Sequence, residues 1–476
     1  YSRNGQVVVV EVEPGGSINH SLAAGLSAAE NKLTATELSV VFGDTLIRDQ
    51  LSYQSDFVCV KLVEDARRWC LVEFGERSDV LGFRNKPEQP VVGEHWAAVG
   101  YYFFSKIELL RESVNGALHA QNREISDVLA LYMEQQPLSA LEIGDWLDFG
   151  HIDRLAEARR LLLRPRYFNS LSVDPVLNTI TKFSEHSEKL RNEIEWYFKI
   201  PDGLKVLTPR IISHGEEGGK VKVVQEYYGY PTLSELYVYG DLHVERWQSV
   251  LQHLTRIHQC FRGHAATIES LAVSSMYWDK TTSRLQELKG QSDFWQKYLS
   301  HETLVFNGRE LQGVNEMMPR LQAIVKRLNS RAVGGVIHGD FCFSNILFDL
   351  NSQIVRLIDP RGSFGTPSVY GDTRYDMAKL RHSVCGFYDY ITSDMFDVSY
   401  SGNVVSGELF DVERLASLTD YFDDLMRSIG YCPQEIKLIE ALLFLSMPPL
   451  HRDYPKRQVM MFMRGMELVS EILECE

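Results

Sequence analysis

The stretch that decides the fold of the C-terminal part of the chain is His338-Gly339-Asp340-Phe341-Cys342-Phe343-Ser344-Asn345-Ile346-Leu347-Phe348, and it is followed by Leu357-Ile358-Asp359-Pro360-Arg361-Gly362. The pattern is HGDxxxxN and then an apolar run that ends in Asp-x-x-Gly. The apolar runs 346–348 and 355–358 predict a β-hairpin. That hairpin returns Asp359 to the loop that carries Asp340 and Asn345, so two carboxylates and one amide are expected in one cleft.

These residue types suit phosphoryl transfer. The reaction needs a group that orients the attacking hydroxyl, and hard oxygen ligands that hold magnesium against the phosphates. Asp340 fits the first role, and Asn345 and Asp359 fit the second. The combination resembles the aminoglycoside-phosphotransferase and choline-kinase superfamily over about residues 166–476. The resemblance implies an α+β protein-kinase-like domain that uses ATP and Mg²⁺. In the alternative interpretation, both aspartates only cap turns.

Two further parts of such a kinase are expected upstream. Lys182 lies on the predicted strand 178–183, and the resemblance implies that it binds phosphate. Glu193 lies on the next predicted helix, 189–199, and is expected to pair with this lysine, with Glu195 as the competing choice. A solvated lysine on an edge strand is the alternative interpretation of Lys182.

The nucleotide is expected to lie against a segment that resembles the hinge of the family, Val223-Val224-Gln225-Glu226-Tyr227-Tyr228-Gly229. The residues whose backbone would meet adenine are Gln225, Glu226 and Tyr227. No GxGxxG pattern occurs between Arg166 and Lys182, which departs from the glycine-rich loop of protein kinases. The phosphates must then be covered by a loop with little glycine.

Two features after the metal-binding aspartate bear on the substrate and on the catalytic loop. Arg361 follows Asp359 by two positions, and it can pair with an anionic acceptor or bridge to a carboxylate of the protein. The segment 371–380 reads GDTRYDMAKL and resembles GDxxYDxAKL of the family. Its aspartates are expected to buttress the catalytic loop rather than to touch substrate.

Four short fragments follow one another in the N-terminal third of the chain: Gly43-Asp44-Thr45, Asn85-Lys86-Pro87, Gly100-Tyr101-Tyr102-Phe103-Phe104 and Trp146-Leu147-Asp148-Phe149-Gly150. In this order they resemble sugar-nucleotide pyrophosphorylases and choline-phosphate cytidylyltransferases. The resemblance implies that Asp44 and Asp148 hold magnesium at the α-phosphorus of a second nucleoside triphosphate, CTP or another. Lys86 would pair with the attacking phosphate, and Asn85 stands where the family usually has Glu. As the alternative, Asp44 caps the turn after its strand.

The N-terminal part alternates strand and helix signals, which predicts an α/β, Rossmann-like nucleotidylyltransferase domain. The family opens with a strand and a Gly-rich loop that holds the triphosphate, whereas this sequence starts at a strand that normally comes later. The first strands, roughly 50–70 residues, are therefore expected to be missing. Two explanations stay open: the sequence is a portion of a longer protein, or the domain has lost transferase activity.

The sequence predicts two domains, 1–164 and 165–476. Between them, a helix over 155–163 runs into Arg164-Pro165-Arg166, where the proline stops it. The kinase-like domain is expected to divide into a small strand-rich lobe and a helical lobe, about 165–232 and about 233–476. In the helical lobe the sequence predicts strands only at 335–337, 346–348 and 355–358.

Composition narrows the partners. Of 476 residues, 44% are hydrophobic and 24% are charged, which is typical of a globular chain. The net charge of −15 argues against nucleic acid as a partner.

Seven scattered cysteines without CxxC spacing predict reduced thiols and a cytoplasmic location. No apolar run approaches the roughly 20 residues that span a bilayer, so membrane insertion is not expected. The expected partners are nucleotides and a small alcohol or sugar, and association into a homo-oligomer stays open.

Three hypotheses cover these patterns. In the first, the kinase phosphorylates a small hydroxyl compound and the N-terminal domain joins the product to a nucleotide, as in enzymes of surface-polysaccharide and phosphocholine-decoration pathways. In the second, the kinase acts alone beside a structural or dimerising N-terminal domain. In the third, both domains are binding modules without catalysis, which the full set of Asp340, Asn345 and Asp359 disfavours.

Overall fold

The computed structural model of the protein describes residues 10, 12, 16–30, 37–53, 55–63, 66–87, 94–150, 169–185, 187–240, 242–410 and 412–475. The chain divides into two compact units, Tyr1–Leu163 and Arg164–Glu476. The helix and the proline stop predicted between 155 and 166 lie in the segment 151–168, outside the described residues.

The first unit combines strands with helices, as the α/β prediction requires. Its strands are β1 (Leu38–Val41), β2 (Thr45–Ile47), β3 (Phe57–Val63), β4 (Cys70–Phe74), β5 (Val80–Asn85), β6 (His95–Phe104), β7 (Ser139–Glu142) and β8 (Trp146–Asp148). Its helices are α1 (Ile18–Glu30), α2 (Ile107–His119) and α3 (Ile125–Met133). The α/β class is confirmed.

Strand β6 organises the sheet of this unit. β3 runs antiparallel along one side of β6, and β4 and β1 pair with its other side. β5 extends the sheet beyond β4, and β7 lies parallel to β3. The sheet is mixed, with the order β5-β4-β6-β3-β7 and one parallel pair among the described strands. A separate antiparallel pair, β2 with β8, ends beside Asp44 and Asp148.

Helix α2 shows why this sequence covers its sheet. Leu110, Val114 and Ala117 follow the helical spacing and are fully buried. They share one apolar cluster with Tyr102 and Phe104 of β6. Alternate residues of a strand face one side of a sheet, so the even positions of β6 meet the helices.

The second unit begins with a small lobe of four antiparallel strands and a long helix. The elements are β9 (Asn169–Asp174), β10 (Thr179–Ser184), α4 (Ser187–Lys199), α5 (Asp202–Lys205), β11 (Ile211–Glu217) and β12 (Lys220–Glu226). The strand order is β11-β12-β10-β9. Lys182 of β10 pairs with Leu171 on one side and with Val223 on the other, so the alternative of an edge-strand lysine is wrong.

The helical lobe follows. Its helices are α6 (Leu233–Tyr239), α7 (Val244–Arg262), α8 (Ser270–Ser274), α9 (Lys280–Lys289), α10 (Asp293–Tyr298), α11 (Val314–Asn329), α12 (Thr373–Val384), α13 (Tyr388–Thr392), α14 (Leu418–Ser428), α15 (Pro433–Ser446) and α16 (Pro455–Glu474). Its strands are β13 (Thr303–Phe306), β14 (Arg309–Gln312), β15 (Gly334–Val336), β16 (Ile346–Phe348), β17 (Val355–Leu357), β18 (Ser363–Phe364), β19 (Thr366–Pro367), β20 (Tyr370–Asp372), β21 (Phe396–Ser401) and β22 (Val404–Leu409). The protein-kinase-like α+β class, a small strand-rich lobe before a helical lobe, is confirmed.

A four-stranded sheet, the short pair β18–β19 and strand β20 of this lobe were not predicted from the sequence. The three predicted strands are present as β15, β16 and β17, but β14-β13-β22-β21 form a further sheet. Its two hairpins turn at Asn307-Gly308 and Gly402-Asn403, and Asn307, Gly308 and Gly402 have positive φ. An Asn-Gly pair between strand-like runs is a strong hairpin signal, so the expectation of three strands was wrong for a reason visible in the sequence.

Helix α12 lies at the centre of the lobe and is buried along its whole length. Charged groups are costly to bury unless they are paired. Arg374 pairs with Asp372 at 2.6 Å, and Arg381 pairs with Glu440. Asp376 of the same helix faces the HGD segment, which brings α12 into the candidate site. None of the described helices is long and apolar enough to cross a membrane.

Candidate active sites

The HGDxxxxN segment forms the loop between β15 and β16. Asn345 donates from Nδ2 to the backbone oxygen of Asp340 at 3.0 Å and to Oδ2 of Asp340 at 2.9 Å. Because the amide nitrogen faces Asp340, the amide oxygen of Asn345 is left as a ligand for a cation. The structure therefore brings together the first two predicted residues.

The hairpin of β16 and β17 brings Asp359 back to this loop, as predicted. Ile346 pairs with Leu357 in the ladder, and the backbone nitrogen of Ile358 donates to the oxygen of Asn345 at 3.0 Å. Asp359 has a φ of 55°, in the left-handed region that residues other than glycine rarely adopt. Such backbone strain is concentrated at functional sites, which agrees with the role expected of Asp359.

Two glycines permit the close packing around this hairpin. Gly339 has a φ of 78°, and a Cβ atom there would lie 2.7 Å from Cβ of Arg361. Gly362 has a φ of 66°, and a Cβ atom there would lie 2.0 Å from the backbone oxygen of Asn192. Since Asn192 precedes Glu193 on α4, a side chain at Gly362 would push this helix away from the site.

Lys182 lies between two carboxylates. Its Nζ donates to Oε1 and Oε2 of Glu193 at 3.0 and 2.8 Å, and to Oδ1 of Asp359 at 3.0 Å. Burial lowers the pKa of Lys182, but Asp359 and Glu193 outweigh burial and hold that pKa above its ordinary value. Lys182 is therefore charged. Glu195, the competing choice, is exposed and pairs with Lys199.

Helix α12 supplies two more residues. Asp376 accepts hydrogen bonds from the backbone nitrogens of His338 and Gly339 at 2.7 and 2.8 Å, which confirms that an aspartate of this segment buttresses the loop. Burial raises the pKa of Asp376 to about 7. Lys379, which was not predicted from the sequence, lies with its Nζ 2.8 Å from Oδ1 of Asp340. The signal for it was its position three residues after Asp376 on one helix, because residues at that spacing share a face.

The predicted hinge lies at the end of β12. The backbone N–H of Tyr227 donates to the oxygen of Asn178 at 2.8 Å, and that of Glu226 donates to the oxygen of Arg210 at 3.1 Å. Gln225 is buried, and its Oε1 has no hydrogen-bond partner in the part of the chain that the structure describes. The contact of this segment with adenine stays a prediction. Because these two N–H groups already donate within the protein, adenine would have to bind other groups of the segment.

Arg361 lies against the catalytic loop. Its backbone nitrogen donates to the oxygen of His338 at 2.9 Å, and its stem packs beside Gly339. Its Nε is buried and has no hydrogen-bond partner among the described residues. The bridge to a protein carboxylate, one of the two alternatives for Arg361, is not formed within those residues.

The candidate magnesium ligands are few and exclusively oxygen. No group of three or more His, Cys, Asp or Glu side chains that could hold a metal ion occurs within the described ranges. Magnesium commonly takes one or two protein ligands and completes its shell with phosphate oxygens and water. Asp359, whose side chain is 42% exposed, and the amide oxygen of Asn345 fit that kind of site.

In the first unit, Asp44 and Asp148 lie together although about a hundred residues separate them in the sequence. Thr45 pairs with Asp148 in the β2–β8 ladder, and Phe149 donates to the backbone oxygen of Asp44 at 2.8 Å. A Cβ atom on Gly150 would lie 2.6 Å from Oδ2 of Asp44 and 3.4 Å from Oδ1 of Asp148. The two carboxylates therefore flank one small space that only glycine leaves open.

Lys86 is the third predicted residue of this unit. It follows β5, it is exposed, and its backbone has a φ of 35°. Its backbone nitrogen donates to the oxygen of Trp69 at 3.0 Å, and the Trp69 ring lies 5.0 Å from the ring of Trp146. Lys86 is thus linked to β8 through two aromatic rings and forms no ion pair with Asp44 or Asp148.

Comparison with known proteins decides the class of the first unit. Residues 20–164 match the nucleotidyl transferase family. The first unit is a nucleotidyl transferase domain. The chain is 36% identical over 104 residues to glucose-1-phosphate thymidylyltransferase of Neisseria gonorrhoeae, and 33% identical over 104 residues to the enzyme of the same name from Neisseria meningitidis. Each match covers 20% of this chain and 34% of the relative, so the chain spans about a third of the length of these curated relatives.

Solved structures show similarity at low sequence identity. A thermostable mutant of aminoglycoside phosphotransferase APH(4)-Ia aligns with 65% of this chain and 93% of its own, at 13% identity and a TM-score of 0.40. HddC from Yersinia pseudotuberculosis aligns with 31% of this chain and 63% of its own, at 18% identity and a TM-score of 0.24.

Proposed function

We propose that the protein is a bifunctional enzyme. Its second unit uses ATP and magnesium to phosphorylate a hydroxyl of a small compound, a sugar, a polyol or an amino alcohol. Its nucleotidyl transferase domain joins the resulting phosphate to a nucleotide. The product is a nucleoside-diphosphate derivative for the synthesis of surface polysaccharide.

The observation that carries the kinase half is the contact between Lys182 and Asp359. The two residues are 177 positions apart, and they meet at 3.0 Å while Glu193 holds the same ammonium. A phosphate-binding lysine, its glutamate and a metal-binding aspartate are the parts that a kinase needs in one cleft. Asp340 and Asn345 lie on the neighbouring loop, joined to the Asp359 strand through Ile358.

Each of these residues has a task in the proposed reaction. The Asp340 carboxylate accepts the hydrogen bond of the acceptor hydroxyl and takes its proton as the hydroxyl oxygen attacks the γ-phosphorus. The bond from that phosphorus to the bridging oxygen breaks, and ADP leaves. Lys182 neutralises charge on the phosphates. Asn345 and Asp359 would hold magnesium, which when bound neutralises the phosphate charge.

The nucleotidyl transferase half is supported by the family match and by the two aspartates beside Gly150. A phosphate oxygen of the kinase product attacks the α-phosphorus of the second nucleoside triphosphate, and pyrophosphate leaves. Asp44 and Asp148 would hold the magnesium, and Lys86 is proposed to pair with the attacking phosphate. The relatives are named glucose-1-phosphate thymidylyltransferases, so a sugar 1-phosphate is the first acceptor to test. For the same reason, deoxythymidine triphosphate is a candidate nucleotide besides CTP.

The second candidate function is a kinase with a non-catalytic N-terminal unit. The two candidates differ in a single property, the release of pyrophosphate.

The test is a two-step assay. The full chain is incubated with ATP, magnesium and a panel of sugars, polyols and choline, and the phosphorylated product is identified by its mass. Each nucleoside triphosphate is then added, and pyrophosphate is measured. Product formation in both steps supports the bifunctional enzyme, the first step alone supports the second candidate, and no ADP with any acceptor contradicts the kinase.

A further inference from the structure

A cationic subsite lies beside the catalytic loop; it consists of Lys280, Arg361 and the hydroxyl of Tyr375. Lys280 Nζ donates to the hydroxyl of Tyr375 at 3.2 Å and lies 5.4 Å from the centre of its ring. Tyr375 is 1% exposed and sits on α12, one residue before Asp376 and four before Lys379. The subsite is therefore attached to the same helix as the partner of Asp340.

Arg361 lies on the segment after β17 and contacts the same catalytic loop through a backbone hydrogen bond to His338. Its stem packs against Gly339, the residue directly before Asp340. Burial raises the pKa of Tyr375, but the charges of Lys280, Arg361 and Lys379 outweigh burial and lower that pKa. Three cations thus act on one buried hydroxyl, and one of them, Lys379, pairs with the proposed catalytic carboxylate of Asp340.

Among the described residues, no side chain supplies a counter-charge for Lys280 or Arg361 of this subsite. Lys182 is paired with Glu193 and Asp359, and Lys379 is paired with Asp340. Within the described ranges no carboxylate lies at ion-pair distance from Lys280 or from Arg361, and the buried Nε of Arg361 lacks a hydrogen-bond partner there. Burial lowers the pKa of Lys280, Tyr375 opposes this, and Arg361 and Lys379 lower it further. Two cations without a counter-charge are unfavourable unless an anion joins them.

We infer that the acceptor of the kinase is itself an anion, a hydroxyl compound whose phosphate or carboxylate group binds Lys280, Arg361 and the Tyr375 hydroxyl. This inference rests on the proposed kinase function and narrows its substrate class. A planar guanidinium binds either anion through two parallel hydrogen bonds, and an ammonium adds a third donor. A cationic acceptor such as choline is repelled by the same charges.

The first arm of the test is kinetic. The full chain receives ATP, magnesium and a matched set of acceptors: a neutral hexose, its 6-phosphate, its uronic acid and choline. ADP formation gives kcat/KM, and mass spectrometry identifies each product. The anionic members should exceed the neutral hexose by at least about 10-fold. Lys280→Met and Arg361→Ala should each lower kcat/KM for the anionic acceptor by about 10-fold to 100-fold, mainly through KM, with KM for ATP unchanged. Lys289→Met, an exposed change on the same helix, should have no effect.

The second arm does not depend on turnover. Inorganic phosphate is titrated into the full chain by calorimetry, with magnesium and a non-hydrolysable ATP analogue present. Binding is expected for the wild type and Lys289→Met, and its loss is expected for Lys280→Met and Arg361→Ala. The hexose phosphate and the uronic acid compared in the first arm distinguish a phosphate from a carboxylate as the natural group.

The outcomes separate the two claims. If choline or the neutral hexose is phosphorylated at least as efficiently as the anions, or if both variants keep wild-type kcat/KM, the anionic acceptor is wrong and the kinase stands. If no acceptor yields ADP but phosphate binding requires Lys280 and Arg361, the kinase is wrong and the anion subsite stands. Neither turnover nor phosphate binding contradicts both.

Discussion

Lys379 of α12 forms an ion pair with Asp340 of the catalytic loop: Nζ of Lys379 lies 2.8 Å from Oδ1 of Asp340. Asn345 donates to the other oxygen, Oδ2, at 2.9 Å. Both oxygens of the carboxylate are engaged, so its orientation relative to the loop is fixed. Lys379 is 8% exposed; burial lowers its pKa, and Asp340 and Tyr375 outweigh burial and raise it. We therefore regard Lys379 as a positioning residue for Asp340.

Lys379→Met should lower kcat by about 100-fold, because a small displacement of a reacting group has an effect of that size. KM for ATP should stay within a factor of two or so of the wild-type value. The measurement is steady-state ADP formation, with Lys289→Met as the control. Adding Lys379→Met to Asp340→Asn should cause little further loss, and independent losses in the double variant would contradict a role through Asp340.

The buried ion pair of Lys182 and Glu193 predicts a stability effect. Lys182→Met leaves the Glu193 carboxylate buried without its partner, and the free energy of unfolding should fall by about 3 kcal/mol. The double variant with Glu193→Gln should recover much of that loss, since the other partner of Lys182, Asp359, is 42% exposed and no buried charge is left uncompensated. Denaturant unfolding measures both. The exposed pair of Lys199 and Glu195 on the same helix supplies the control, and Lys199→Met should leave the free energy of unfolding unchanged.

Gly150 predicts a steric effect in the nucleotidyl transferase domain. The added methyl group of Gly150→Ala would meet Oδ2 of Asp44 at 2.6 Å and must displace that carboxylate. Pyrophosphate release should fall by about 10-fold or more, while kinase turnover stays unchanged. Gly82→Ala is the matched control, because a Cβ atom there meets nothing within 4 Å. Normal pyrophosphate release from Gly150→Ala would show that Asp44 does not hold the metal.

His258 predicts a pH effect on stability. Its Nε2 lies 2.9 Å from the Tyr431 hydroxyl, and burial, aided by Arg262, lowers its pKa to about 3. A histidine with a lowered pKa stays neutral in the folded chain and takes up a proton in the unfolded chain below about 6.5. The contribution of neutral His258 to the free energy of unfolding is therefore complete above about pH 6.5. It is lost as the pH falls from about 6.5 toward 3, at up to about 1.4 kcal/mol per pH unit. Denaturant unfolding over this range should show a shallower slope for His258→Gln, whereas the exposed His243→Gln should keep the wild-type slope.

The sequence predicted the parts of the kinase-like unit that follow from local pattern. HGDxxxxN and the apolar runs after it predicted the loop and the hairpin that bring Asp340, Asn345 and Asp359 together. The partner of Lys182 was narrowed to Glu193 or Glu195, and the helix register decides between them, because only Glu193 faces the strand. That register depends on packing over the lobe and could not be read from the residues alone.

The residues that the sequence analysis missed act across long separations. Lys379 reaches Asp340 because α12 is buried against the catalytic loop; the spacing from Asp376 places Lys379 on the same helix face, but its contact with Asp340 depends on how the helix packs. In the described part of the chain, Arg361 has no carboxylate at ion-pair distance, and this too depends on how the unit folds. In the first unit, the fragments predicted that Asp44 and Asp148 meet, and the strand pair β2–β8 brings them together. The same fragments imply that Lys86 pairs with the attacking phosphate; it lies exposed after β5, and that role stays a prediction.

The most direct test of the kinase is Asp340→Asn. The asparagine has the size of the aspartate and keeps part of its hydrogen bonding, but it lacks the carboxylate that would take the proton of the acceptor hydroxyl. ADP formation is measured with the best acceptor of the panel, and thermal unfolding checks that the variant is folded. We predict that turnover falls by about 1,000-fold or more while KM for ATP and the unfolding temperature stay close to the wild-type values. Phosphorylation of the acceptor by Asp340→Asn at a near wild-type rate would contradict the central claim.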